Sequence, residues 1–181
     1  MRRLLFKSLV HGPLTEVAPA RDHASVAELT ARVEQAARRR LGRSLAIREF
    51  DAGSCNGCEL EIHALNNVVY DLERFGLRFV ASPRHADVLL VTGPVTANMR
   101  EALERTYQAT PDPKWVVAVG DCARDGGVFA GSYACVGGVS AVVPVDLHIP
   151  GCPPSPIVLL QGLLALLEAA SAEAPGDGRE G

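Results

Sequence analysis

The sequence predicts an α/β domain on a mostly parallel sheet, and three observations carry that expectation. From residue 45 onward, short apolar stretches alternate with helical ones at the spacing of successive strand–helix units. The chain has 181 residues, which suits one ordinary domain with a single substantial core. Hydrophobic residues make up 48% while aromatics reach only 5%, so Ala, Val and Leu must fill that core. This composition excludes a disordered, collagen-like or disulfide-scaffold chain. A formal charge of -3 argues against a dedicated nucleic-acid binder, whose affinity rests on neutralising phosphates.

Residues 1–44 are expected to form an N-terminal extension. Its first residues, Met1 to Lys7, superficially resemble a twin-arginine leader. Lys7 and His11 interrupt the apolar run such a leader needs, so the segment reads as mature protein. Ser25–Leu41 reads as an amphipathic helix, with Val26, Leu29, Val33, Ala36 and Ala37 at helical spacing. Ser25 with Glu28 three residues later suits a capping box. Arg38, Arg39 and Arg40 favour the negative end of the helix dipole, and Gly42 stops the helix. Residues 1–48 carry a balance of +6 and residues 49–181 one of -9. A basic head on an acidic body fits either a docking surface or an ordinary solvated helix.

The cluster of alternating elements spans 45–170. Strands are expected at Leu45–Phe50, Leu77–Ala81, Val88–Thr92, Trp115–Val119 and Ala141–Val145, and helices at Glu59–Phe75, Thr96–Gln108 and Pro156–Ala169. Ser155 with Pro156 makes a good N-cap and first position for the last helix. Its apolar run, Ile157 to Leu167, is well short of the ~20 residues that span a bilayer. The chain is therefore expected to be cytoplasmic, with membrane association through partners. The tail 171–181 is expected to be disordered.

Of five cysteines, four lie in Gly/Pro-rich loops that follow expected strands: Cys55 and Cys58 in GSCNGC, Cys122 in GDC, and Cys152 in PGCPP. Sites in an open parallel sheet form beyond the carboxyl ends of the strands, which would bring these thiols to one edge. Four convergent thiolates in a cytoplasmic protein suggest a metal rather than disulfides. Tetrahedral sulfur suits zinc or an iron–sulfur cluster. One CxxC with two distant single cysteines, the last followed by prolines, fits a cubane better than paired zinc knuckles. Glycines 53, 57, 120, 126, 127 and 151 would let backbone amides approach it. The alternative is a thioredoxin-like dithiol at Cys55 and Cys58, for which Cys122 and Cys152 have no use.

The other chemistry-bearing residues leave two readings each. Glu59 and Glu61 at a helix start suit capping or a part in proton movement. His63 reads as a surface or interface histidine, and Cys135 as a packed free thiol. Asp121 and Arg124 suit an ion pair or a partner contact. Gly126-Gly127 and Gly137-Gly138 lack any phosphate-loop pattern.

Four blocks, DAGSCNGCELEI (51–62), VTGPVTANM (91–99), PKWVVAVGDCARDGGVF (113–129) and VPVDLHIPGCPPSP (143–156), resemble the small subunit of group 4 membrane-bound [NiFe] hydrogenases. That group includes formate hydrogenlyase, hydrogenase-4 and energy-converting types. The same blocks are similar to the homologous 20-kDa cluster subunit of respiratory complex I. The resemblance covers residues 45–168 and implies a flavodoxin-like, doubly wound fold. It implies one proximal [4Fe-4S] cluster on Cys55, Cys58, Cys122 and Cys152. It implies an oxidoreductase subunit without catalytic residues of its own, passing electrons between a nickel–iron large subunit and a ferredoxin-like iron–sulfur subunit. Membrane subunits would be reached through the complex, placing the chain peripherally on the inner face of the cell membrane. The CxGC form and GDCARDGGVF resemble the hydrogenase branch. The complex I branch, with its homologous large subunit and quinone as acceptor, is the alternative.

Overall fold

The computed structural model describes residues 23–172. The leader-like start and residues 173–181 of the tail lie outside the described residues.

Five strands form one parallel sheet: β1 (Leu45–Asp51), β2 (Leu77–Phe79), β3 (Val88–Thr92), β5 (Trp115–Val119) and β7 (Leu147–Ile149). Their order is β2-β1-β3-β5-β7. With helices on both faces, this is the doubly wound, flavodoxin-like arrangement. From β1 the chain turns outward to β2, and from β3 it proceeds the other way, so the crevice where strand order reverses lies between β1 and β3. A small antiparallel pair, β4 (Val95–Thr96) with β6 (Cys135–Gly137), stands apart from this sheet.

β3, the middle strand, reads VLLVT and is buried along its whole length, as a parallel strand covered on both faces requires. Alternation divides its side chains between two cores. Val88 and Leu90 join Val117 and Val119 of β5 on one face, while Leu89 and Val91 join Val116 and Ala118 on the other. The first face is covered by α1 (His23–Leu41), α2 (Gly57–Ala64) and α5 (Pro156–Ala172). The second is covered by α3 (Arg100–Ala109) and α4 (Asp121–Asp125) through Leu103 and Ala123.

α1 is built into the first core: Val33 and Ala37 are buried among α5 and strand residues. Arg32 bridges to Glu168 of α5 at 3.2 Å. α5 buries Leu159, Leu160, Leu163, Leu164, Leu166 and Leu167, which accounts for its long apolar run. Among the described residues no helix is long and apolar enough to cross a membrane.

Several expected boundaries shift for local reasons. Ala141–Val145 is not a strand. Ala141 ends a 3-10 turn, Pro144 has no N–H to give a ladder, and the fifth strand is β7, three residues further on. Val116 N–H donates to Asp146 Oδ2 at 2.6 Å, and Asp146 N–H to Val116 O at 2.9 Å, anchoring β7's entry. The helix expected over Glu59–Phe75 stops at Ala64. Asn67 Oδ1 accepts the N–H groups of Val69 (2.8 Å) and Tyr70 (3.2 Å), diverting the backbone until a 3-10 turn at Leu72–Phe75. Thr96 belongs to β4, so the third helix begins only at Arg100. Leu77–Ala81 shortens to Leu77–Phe79. Ser25 lies inside α1 rather than at its cap, and α5 runs on to Ala172.

Candidate metal centre

Three loops at the carboxyl edge of the sheet build the site. The first leaves β1 through Asp51, whose Oδ1 accepts the N–H groups of Gly53 and Ser54, both at 2.7 Å. This pair of hydrogen bonds turns the chain so that Cys55 precedes α2 and Cys58 lies in its first turn. Asn56 sits between them in the left-handed region, with φ of 70°.

The second cysteine loop leaves β5 at Gly120, whose φ of 86° and ψ of 163° are open essentially only to glycine. A Cβ there would also stand 2.8 Å from Cys58 Sγ. Gly120 N–H donates to Ile149 O at 2.8 Å and Asp121 N–H to Gly151 O at 2.9 Å, while Asp121 Oδ1 accepts Gly151 N–H at 3.2 Å. These bonds tie the Cys122 loop to the Cys152 loop. Asp121 therefore has a structural part that its sequence position did not disclose.

Cys55, Cys58, Cys122 and Cys152 line one cavity of about 100 Å³. Cys55 and Cys152 are exposed, and Cys58 and Cys122 are half-buried. Gly93 and Pro94, directly after β3, complete the wall. A Cβ on Gly93 would fall 2.6 Å from Ser54 N, so glycine lets the β3 loop nest against the first cysteine loop. Sequence reasoning did not single out these two residues, although a Gly-Pro pair immediately after a buried strand is a signal that could have found them.

The donor set fits a polynuclear centre. Among the described residues no three of His, Cys, Asp and Glu are grouped closely enough to hold a single metal ion. The four cysteines line one cavity, and four thiolates are a donor set that can bind the four irons of a cubane, one each, from outside the cube. Burial pushes the Cys58 thiol up to about 12, with Glu59 and then Cys122, Cys55 and Cys152 adding in the same direction. Burial and Cys152 likewise raise Cys122, against a hydrogen bond from the Val128 backbone. At Cys58 and Cys122 the free thiolate is thus disfavoured, and a bound metal cation would stabilise it.

The glycines divide in their roles. A Cβ on Gly127 would lie 2.8 Å from Cys122 Sγ and one on Gly57 3.5 Å from Cys55 Sγ, so these, with Gly120, approach the sulfurs. Gly53, Gly126 and Gly151 instead clear Thr96, Ala130 and Pro154. Gly138 packs against α4: a Cβ would fall 2.0 Å from Arg124 O. Arg124 donates to Asp125 at 3.0 Å and lies 3.9 Å from Asp121, so the ion pair with Asp121 is the weaker of two. The Gly127 N–H, and then Arg124, hold the Asp125 carboxyl below its usual range.

Other expectations resolve differently. Glu59 does not cap α2: it is buried, and neither carboxylate oxygen has a hydrogen-bond partner. His63 is exposed, 4.0 Å from Glu49. Cys135 lies in β6, partly exposed and away from the cysteine cavity.

The family model described as NADH ubiquinone oxidoreductase, 20 Kd subunit, matches residues 55–166. Formate hydrogenlyase subunit 7 of Escherichia coli is 44% identical over 157 residues, 84% of this chain and 62% of the relative. The chain thus spans less than two thirds of that relative's length. A protein named "Probable membrane-bound hydrogenase subunit mbhJ", of Pyrococcus furiosus, is 48% identical over 128 residues, 71% of this chain and 77% of the relative. Among solved structures, a chain of the membrane-bound sulfane sulfur reductase, an archaeal respiratory membrane complex, superposes with a TM-score of 0.65. It is 36% identical and covers 76% of this chain and 75% of its own.

Proposed function

Since the chain belongs to the NADH ubiquinone oxidoreductase 20 Kd subunit family, we propose that it is the electron-transfer small subunit of a membrane-associated [NiFe] hydrogenase complex, carrying one proximal [4Fe-4S] cluster. Cys55, Cys58, Cys122 and Cys152 would hold the cluster. The observation that carries this reading is their position in loops after β1, β5 and β7, lining a single cavity. Bound there, a cubane supplies one-electron exchange with little change of geometry.

What the chain itself contributes is a rigid, partly desolvated cradle. The paired bonds between the Cys122 and Cys152 loops fix two of the four thiols against each other. Gly120 and Gly127 leave the Cys58 and Cys122 sulfurs room that any Cβ would take. Two sulfurs half-buried and two exposed leave the centre insulated on the sheet side and open on the other, where a large subunit can approach. A large subunit with nickel and iron on one side and a ferredoxin-like subunit on the other are the partners this role requires.

A second reading, a complex I-type or respiratory subunit whose large partner lacks nickel, is favoured by the structural likeness to a respiratory complex. A stand-alone dithiol oxidoreductase is weakened by Cys122 and Cys152, which line the same cavity as Cys55 and Cys58 and have no part in that chemistry.

The test is iron, sulfide and nickel content, with EPR, on the complex purified anaerobically through this chain. Four irons here with nickel in the neighbour support the hydrogenase reading. Iron without nickel favours the second reading, and no iron in an intact complex overturns both. Cys122→Ala should remove the cluster signal, and a full signal in that variant would overturn the ligand assignment.

A further inference from the structure

A second cavity, of about 500 Å³, lies beside the cysteine site. Arg48, Glu49 and Asp51 of β1, Glu59 and His63 of α2, and Phe79 of β2 line it. It contains charge the chain does not satisfy. Glu59 is only 7% exposed, and both its carboxylate oxygens are buried without a hydrogen-bond partner. Glu49 Oε1 and Arg48 Nε are also buried and unpartnered. Asp51, by contrast, is engaged with the Gly53 and Ser54 backbone. Burial raises Glu49 first, with His63 opposing and Glu59 adding to the rise. A carboxylate removed from water with nothing donating to it is costly, and a site that keeps one is incomplete by itself.

Two carboxylates with unpartnered oxygens, Glu59 and Glu49, stand against one arginine here, so the missing occupant is a cation. A bare metal ion is a poor fit, because no three carboxylate or imidazole groups are grouped closely enough to hold one. A guanidinium fits better. It is flat, presents several N–H donors, tolerates burial in ion pairs and stacks on aromatic rings such as Phe79. The surroundings favour a protein as its source: Leu60, next to Glu59 in α2, is 62% exposed. An exposed apolar side chain beside a polar anchor point is part of the ordinary makeup of an interface.

We propose that this pocket receives an arginine side chain of the partner subunit, its guanidinium bound by Glu59 and Glu49. The proposal rests on the reading of the chain as a subunit of a complex. The bound arginine would lock the docked partner against α2, whose first turn carries Cys58.

The experiment is salt-stepped affinity purification of the native complex through this chain, with partner recovery and iron per chain both measured. Glu59→Gln keeps the shape and removes the charge. It should reduce partner recovery about tenfold or more at a salt concentration where the wild type holds together, because losing one member of a buried interface charge pair costs at least that. Iron per chain should stay at the wild-type level. Glu59→Asp should recover part of the loss, and Glu61→Gln, which removes the same charge outside the pocket, should behave as wild type. Wild-type salt tolerance in Glu59→Gln would overturn the proposal, as would joint loss of partner and iron. A wild-type chain that carries iron but retains no partner overturns the pocket and leaves the cluster reading standing. Partner retention without iron, sensitive to Glu59→Gln, does the reverse.

Discussion

Cys58 shows how one side chain can be unsuited to solution and suited to a cofactor. Its thiol is pushed up to about 12 by burial first and neighbouring acids second. The neutral thiol is thus the form favoured at physiological pH in the metal-free chain. Above the ordinary thiol value the unfolded chain gives up this proton while the folded one keeps it. The metal-free protein therefore loses stability as pH rises from about 8.5 toward 12. Alkylation of metal-free protein with iodoacetamide, followed by mass spectrometry, should label exposed Cys55 and Cys152 first at pH 8, with Cys58 lagging until strongly alkaline pH. The four cysteines were legible in the sequence because each sits in a Gly- or Pro-rich loop just past an apolar run. Glu59 was not. Its place at a helix start suggests a cap, and only the packing of α2 over β1 reveals that the carboxylate is buried without a donor.

At the level of elements, the junction of β5 and α4 concentrates the constraints. Gly120 combines a backbone conformation closed to other residues with an approach to Cys58 Sγ that admits no Cβ. Gly120→Ala should destabilise the chain by about 1–3 kcal/mol from strain alone and lower iron retention, read by thermal melts and metal content. Gly138→Ala should be similarly damaging, by about 1–3 kcal/mol, because its Cβ would strike the Arg124 carbonyl. The first four strands were readable as apolar runs bounded by turn residues. The fifth was not, since Ala141–Val145 is more apolar than Leu147–Ile149 yet contains Pro144. There hydrophobicity marks burial in the second core, through Val143, rather than sheet pairing. The early end of α2 depends on a side-chain turn at Asn67, which competes with the helix only through local hydrogen bonds.

Across the whole molecule, α1 is part of the main core, although the sequence gives it a rhythm of its own. Val33 has no exposed surface, so Val33→Asp places an unpaired charge inside that core. It should unfold the sheet domain or cost it several kcal/mol, on the order of 3–5, visible as loss of cooperative melting by circular dichroism. The basic character of the first 48 residues is also partly used internally: Arg32 meets Glu168, Arg38 meets Glu34, and Arg43 meets Asp87. A charge count along the chain cannot see such pairings, because two of these three partners lie beyond the basic segment. The same long-range geometry sets a timetable for biosynthesis. The cavity's walls come from Cys55 near the first strand and Cys152 just after the last, so the pocket does not exist until β7 has joined the sheet. A nascent chain halted before residue 152 already holds every buried residue of the second core and still has nowhere to put a cofactor, which makes the finished site a built-in certificate that the domain is whole.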